Sequence, residues 1–508
     1  MAGSPATYEN IKEVPLVAKF SPRDYTLTQD AIMKNVTIEK EDDGPYALKR
    51  PGLAAYAATT GITNPYFGGW VVAGTTTWAI FGKTLCGVAS GSLSGTTLNA
   101  PGQASIGRFR CIYHTPQQVQ AFAAFQPELN YVYTYGRAGN ALEYFNVETN
   151  YAVQYVLTPS LCILDNTWYA LDVSGRIISS GIGDITTWPA LNFLQADAAI
   201  GDAACMVRHL SYLLAFGTLG MAAYYDAAVS PGSPLALVPN GIFAVGMPAL
   251  AGWTAVAYDD TLYWLGNGDE AGFAVYRMTG LAVEKISTPS VERVLEFYAA
   301  QCDSDRGSLL TSRLADPKGS VFMSGGHMYY MLTFPSYTNA SSVAKAGITL
   351  VFDIGAGEWL WWTQVVGGVE KEMQIADVLY TNYGGAGVLA ADYKTGAIYK
   401  LNQFTYQDNG QPINVMIQTD LWNWGNQRTK LIAATYPLLD TVNTTVALSW
   451  TDNDYQTFST PQIINTSTAK KQLIRCGSTV QRAWQITHTD NTPMRFYQLE
   501  VEVIPGAL

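Results

Sequence analysis

Charge is what this chain has least of. Only 14% of its 508 residues are Asp, Glu, Lys or Arg, against roughly a quarter in an ordinary soluble domain. The balance is acidic, with a formal net charge of −11, and no basic run is longer than the pairs Lys49-Arg50 and Lys470-Lys471. Holding a nucleic-acid duplex takes clustered Lys and Arg to replace its counterions, so tight, sequence-independent DNA binding is excluded. Histidine is as sparse. His114, His209, His327 and His488 are too far apart for a His-x-x-x-His ligand pair. The six cysteines, Cys86, Cys111, Cys162, Cys205, Cys302 and Cys476, never approach zinc-knuckle or redox spacings. Buried, reduced thiols, no metal and no cofactor are the expectation.

Long apolar runs are missing too: no stretch reaches the ~18 residues that a membrane-spanning helix needs. The start, MAGSPATYENIKEVPL, has neither the apolar core of a secretion signal nor an Arg-rich transit pattern. A chain made in the cytosol that spans no membrane is expected. Catalytic signatures are equally scarce. There is no Gly-x-Ser-x-Gly elbow, no Lys-tipped phosphate loop and no Gly-x-Gly-x-x-Gly. A glycosidase needs two facing carboxylates, and Asp259-Asp260 and Asp452-Asn453-Asp454 are the candidates. Both fall where hairpin turns are expected, a setting that favours Asp because its side chain accepts backbone hydrogen bonds. No catalytic residue is assigned, and the chain reads as a non-enzyme.

What the chain does have is rings and turns. Aromatics reach 12%, with 31 Tyr and 13 Trp, and ring enrichment with charge depletion is the composition of interface cores. A subunit of a larger assembly follows. Short apolar runs bounded by Gly, Asn, Asp, Ser and Pro recur throughout, and they give an all-β chain. Hairpin grammar appears in residues 69–88, 166–181, 209–226, 252–278, 327–335 with 348–362, and 387–402. In 166–181, for example, a Val-Ser-Gly-Arg turn around Gly175 joins two strands. A spacing of very roughly 40 to 60 residues fits the blades of a β-propeller, about six of them. Trp78, Trp168, Trp264 and Trp359 are placed to fill gaps between blades. A pair of packed β-sandwiches is the alternative architecture. The expected layout is an N-terminal arm (1–55), a propeller (56–405) and a β-sandwich-like platform (406–508), with the arm a candidate to join the platform. One helix is expected over 287–301, capped by Ser287 or Thr288, with Pro289 at its start.

Short motifs in a fixed order carry a resemblance. They are Lys-Arg-Pro-Gly (49–52), ITTWPALNFLQAD (185–197), LLAFGTLGMAAYY (213–225), KISTPSVERVL (285–295), HMYYMLTFP, TLVFDIGAGEWLWW, CGSTVQRAWQI (476–486) and MRFYQLEV. In this order they resemble the tail nozzle, or packaged-DNA stabilisation, proteins of short-tailed bacteriophages. This chain has Ala223-Tyr224 where that family often has Glu before Tyr. The resemblance implies a virion protein made in the host bacterial cytoplasm. It would form a homo-hexameric ring below the head-to-tail adaptor, with DNA passing through its lumen and the packaged genome retained until ejection. Tail fibres or tailspikes are implied as neighbours, and a tail tip or needle is a further candidate. Arg50, Pro51 and Gly52, with Arg475, Arg482 and Arg495, are candidates for docking between sub-domains or subunits. Ordinary surface arginines on strands are the competing reading. Two other functions stand beside this one: a glycan-binding or glycan-degrading propeller, and a channel-less tail fibre adaptor.

Overall fold

The computed structural model describes residues 11–505, apart from 15–18, 42–43, 58–66, 74–75, 83, 90–91, 98–107, 109, 115–120, 127–130, 137–138, 147–156, 229–231, 269–271, 306–315, 340, 382–386, 469–472 and 475. The hairpins expected from the sequence are there, and each turn has a local cause. In the Val-Ser-Gly-Arg turn, Asp172 Oδ1 accepts from the backbone of Ser174 at 2.9 Å and of Arg176 at 2.8 Å. Gly175 takes φ +83°, a conformation that a Cβ would oppose. Asp259 also sits in a turn, at φ +54°.

Successive hairpins pair into four-stranded antiparallel meanders, and the described residues form seven of them. Their innermost strands are Phe67–Ala73, Arg110–His114, Cys162–Leu164, Ala203–His209, Val256–Tyr258 with Val245–Gly246, Lys318–Ser324 and Ile375–Thr381. Neighbouring inner strands touch from the first blade to the second, from the third round to the seventh, and from the seventh back to the first. Ile112 packs the second blade against the core of the third. The chain is therefore an all-β propeller, with one blade more than the roughly six hairpin units counted in the sequence. The second blade, Arg110 to Asn146, is the one that count omits.

Blade interiors are covered on both faces by their neighbours. Thr167–Leu171 and Ile348–Asp353 are buried at every position, so they lack the alternation of a half-wet strand. Rings fill the gaps between blades. Trp264 of the fifth blade lies 5.4 Å from Phe216 of the fourth, and Tyr263 of the fifth lies 5.4 Å from Tyr330 of the sixth.

The ring closes through sequence-distant pairing. The outermost strand of the seventh blade is Gly52–Ala57, which runs antiparallel to Ile398–Asn402. An early segment thus completes the last blade, crossing the expected arm–propeller boundary at 55. The rest of the arm goes elsewhere. Asp30–Lys34, Val36–Glu41 and Gly44–Lys49 join strands from Val415 to Pro505 in two sheets that face each other over one core, a β-sandwich. Asp30–Lys34 lies between Glu358–Val366, the outer strand of the sixth blade, and Val415–Gln418 of the sandwich. A single sheet therefore runs out of the propeller into the platform. The hydrophobic cluster does the same, joining Phe322, Trp362 and Leu401 to Ile417, Trp484 and Val501.

The helix spans Pro289–Asp305, four residues longer at its C-terminal end than expected. Its first turn is fixed as the sequence suggests: Thr288 C=O accepts from Glu292 N at 2.9 Å, and Ser287 Oγ lies 2.9 Å from the Glu292 carboxylate. Val291, Val294 and Leu295 are buried, and Phe297 stacks on Tyr25 of the arm with ring centroids 3.7 Å apart.

Closure depends on close backbone approach at Gly52, where an added Cβ would collide with the carbonyl oxygens of Gln407 and Thr405. Overpacking of this kind costs about 1–3 kcal/mol. Gly52→Ala should lower the urea midpoint accordingly. Gly272→Ala, with nothing within 4 Å of its added Cβ, should stay within about 0.5 kcal/mol of the parent.

Candidate functional site

The chain passes from platform to propeller at Lys49-Arg50-Pro51-Gly52, and the sequence-selected Arg50 is fully buried there. Its guanidinium has five N–H donors, and five acceptors surround it. Nε donates to Asn35 Oδ1 at 2.9 Å. Nη1 donates to Pro51 C=O at 2.9 Å and Asp408 Oδ1 at 3.1 Å. Nη2 donates to Thr363 C=O at 2.6 Å and to Asp408 Oδ2. Thr363 belongs to the sixth blade, Asp408 pairs beside the closing strand of the seventh, and Asn35 joins two platform strands.

Asn35 is itself held in an unusual backbone conformation. It takes φ +57°, which Asn tolerates better than most residues. Its amide donates to Thr363 Oγ1 at 2.7 Å and Asn414 C=O at 2.9 Å. Trp362, whose ring lies 5.8 Å from the guanidinium carbon, donates to Val36 C=O at 2.9 Å.

The other selected arginines separate from this cluster. Arg482 is buried inside the platform, where it forks onto Asp452 at 2.8 Å through two nitrogens and reaches Cys476 C=O at 2.6 Å. Neither Arg50 nor Arg482 is an ordinary surface arginine. Arg495 lies on the outer platform face, 3.7 Å from the Tyr46 ring centroid and 3.2 Å from Glu41. Arg475 lies outside the described residues. The Asp452-Asn453-Asp454 triplet is divided between Arg482 and Arg23, and its carboxylates do not act as a pair. His209 is buried, with Nε2 2.8 Å from Gly280 C=O. Among the described residues, no group of three or more His, Cys, Asp or Glu is placed to hold a metal ion. No described helix is long and apolar enough to cross a membrane.

A second polar cluster lies at the propeller axis, which the inner strands surround. Asp377 of the seventh blade accepts from Trp70 Nε1 of the first at 3.1 Å and from Ser320 Oγ of the sixth at 2.9 Å. Burial pushes its carboxyl up from the ordinary range. Arg108, leading into the second blade, lies 4.8 Å from the Trp253 ring of the fifth and reaches Ala376 C=O of the seventh at 3.4 Å. Sequence reasoning missed both Arg108 and Asp377, since neither sits in a recognisable local motif.

No family model matches the chain, and no curated protein does. Solved structures similar to it include two WD40 domains and a lyase. Virginiamycin B lyase from Staphylococcus aureus aligns at 10% identity and TM-score 0.39, over 72% of this chain and 98% of that one. The RRP9 WD40 repeats align at 7% and 0.39, over 70% and 99%. The Neurospora crassa Pan2 WD40 domain aligns at 10% and 0.37, over 69% and 88%. These likenesses are too distant to carry function, and the propeller assignment rests on the sheet order above.

Two tests follow from the junction. Asp408→Asn removes the charge facing a fully buried guanidinium and should destabilise by roughly 3–5 kcal/mol, while Arg50→Met with Asp408→Leu together should cost less than Asp408→Asn alone. Denaturant melts of the variants decide this. The second test concerns His327, which reaches from the sixth blade to Asp353 at 2.9 Å and to Glu39 of the platform at 3.8 Å. The bond to Asp353 raises its pKa above the ordinary value. The stabilisation is complete below about 6.5, the unfolded value, and is lost as pH rises through the raised one. His327→Gln should flatten the stability profile in that window.

Proposed function

We propose that this chain is a non-enzymatic structural subunit of a phage tail nozzle: a homo-hexameric ring, part of the virion, beneath the head-to-tail adaptor. Duplex DNA would pass through its lumen, with fibres or spikes and a tail tip as further neighbours. The observation that supports this reading best is the outer face of the platform sheet. Glu13 stands directly opposite Glu500 in the ladder, and Ile11 stands opposite Glu502. Like charges facing each other across a ladder are destabilising. Among the described residues, none of the three carboxylates has an ion-pair partner. A wall that repels phosphate lets duplex slide without adhering, because no counterions are released to reward contact.

The same sheet carries apolar residues in the open. Leu431 is 42% exposed and lies directly opposite Ile504, 37% exposed. A platform that meets sibling platforms would cover such pairs. The motif order that resembles the tail nozzle family agrees with this, as does a subunit whose two modules share one sheet and one core.

Negative-stain imaging of the purified protein at micromolar concentration should show six-fold rings with a central lumen. A dispersed monomer would sink the proposal. Glu13→Lys, Glu500→Lys and Glu502→Lys together should convert non-binding rings into ones that retain linear duplex at low salt and release it as salt rises. Tight duplex binding by the unmodified rings would reject the acidic wall.

A further inference from the structure

Three Asn-Gly pairs occur in the chain, Asn240-Gly241, Asn267-Gly268 and Asn409-Gly410. Such a pair sets a side-chain amide next to a backbone nitrogen that no following Cβ shields, so the nitrogen can attack the amide carbon. The fold disarms two of the three. Gly241, in the outer strand of the fourth blade, is buried, and an added Cβ would fall 2.8 Å from both the Cβ and the C=O of Val238. Close packing blocks rotation of that peptide. Asn267, in the fifth blade, donates its amide to Thr218 C=O at 2.9 Å, which holds the side chain in place.

Asn409 is left open. With Gly410 it makes the two-residue turn between Gln407–Asp408 and Gln411–Pro412, at φ +48° and +82°, and positive φ at both positions is what selects Asn-Gly in a hairpin. Turn formation accounts for the choice of residues and leaves their reactivity intact. Both are exposed, and a Cβ added to Gly410 would meet nothing within 4 Å. Among the described residues, no hydrogen bond engages the Asn409 side-chain amide. Asn409 N donates to Leu53 C=O at 2.6 Å, so the chain is anchored before this residue and has open space to rotate after it.

We propose that Asn409 is a site of spontaneous deamidation, converting to isoaspartate through a succinimide closed by Gly410, and that the conversion loosens the buried Arg50–Asp408 junction as the protein ages. Gly410 N attacks Asn409 Cγ. The new N–Cγ bond replaces the Cγ–Nδ2 bond, and Nδ2 leaves as ammonia with the proton that Gly410 gives up. Water then opens the imide. Attack at the side-chain carbonyl gives Asp, and attack at the main-chain carbonyl gives isoaspartate, whose chain runs on through Cβ and Cγ. That extra main-chain atom lies directly after Asp408, whose carboxylate holds both Nη atoms of Arg50 and Leu53 N. A turn lengthened by one atom no longer matches the Asp408–Gln411 pairing, and Asp408 is drawn off the guanidinium. The site does not depend on the nozzle reading.

The test incubates the full-length protein in mildly alkaline buffer and follows it by peptide mass mapping, with an isoaspartyl methyltransferase to mark isoaspartate. Asn409 should convert faster than Asn240 or Asn267 by roughly tenfold or more, the ratio that a barrier lower by about 1.4 kcal/mol gives. The thermal midpoint should fall as the modified fraction grows. Asn409→Gly keeps positive φ open at the turn and removes the amide, so its midpoint should hold through the same incubation. An unmodified Asn409, or conversion no faster than at the other two pairs, would overturn the site. A midpoint that stays level as isoaspartate accumulates, or that falls equally in Asn409→Gly, would overturn its link to the junction. The conversion is read in the unaltered protein, so it needs no variant to fold.

Discussion

A single guanidinium holds two modules in one frame. Arg50 is buried where water cannot solvate it, so its charge is tolerable only while Asp408 faces it and all five donors are met. Those acceptors come from the sixth blade, from the segment beside the closing strand of the seventh, and from the bend at Asn35 in the platform. Moving any one of these away strands a buried charge. The orientation of platform against propeller is thereby fixed by hydrogen-bond geometry, more narrowly than apolar packing alone would fix it, since a hydrophobic contact has no direction.

That fixity matters because propeller closure depends on the same short segment. Lys49-Arg50-Pro51-Gly52 leaves a platform strand and enters the outer strand of the seventh blade within three residues. The pairing that seals the ring and the charge that orients the platform are therefore coupled. The closing strand cannot peel away without pulling Arg50 from Asp408, whose Oδ1 also accepts from Leu53 N at 3.2 Å. Neither module is expected to hinge freely against the other, because one sheet and one hydrophobic cluster cross the boundary with the backbone. The shared sheet and cluster make the two-part chain one rigid block.

Local structure was readable in the residues, and long-range structure was not. Gly175 and Asp172 announce their turn because the forces that make it act within four residues. The helix start at Ser287-Thr288-Pro289 was legible for the same reason. The pairing of Gly52–Ala57 with Ile398–Asn402 spans more than three hundred positions, and no periodicity encodes a partner at that distance. Arg50 was singled out because it stands in a quoted motif, but nothing nearby names Asp408. The blade at Arg110 to Asn146 escaped because the readable hairpins on either side were taken as the whole series. The axial residues Arg108, Lys318 and Asp377 meet only after the ring closes, so each looks like a solitary polar residue in the sequence.

The scarcity of charge takes on a sharper meaning once its location is known. Among the described residues, seven Lys and Arg are buried, including Lys49, Arg50, Lys318, Lys430 and Arg482, alongside six buried Asp and Glu. Among the described residues the interior charges nearly cancel, and the chain as a whole carries a formal net charge of −11. Copies of this chain repel one another at long range, and salt weakens that repulsion within a Debye length of about 8 Å at physiological ionic strength. Contacts between siblings in the proposed ring must therefore come from uncharged surface, which exposed pairs such as Leu431 and Ile504 supply. Ring assembly should accordingly strengthen as salt rises, opposite to the behaviour of an assembly held together by ion pairs, and sedimentation across a salt series separates the two.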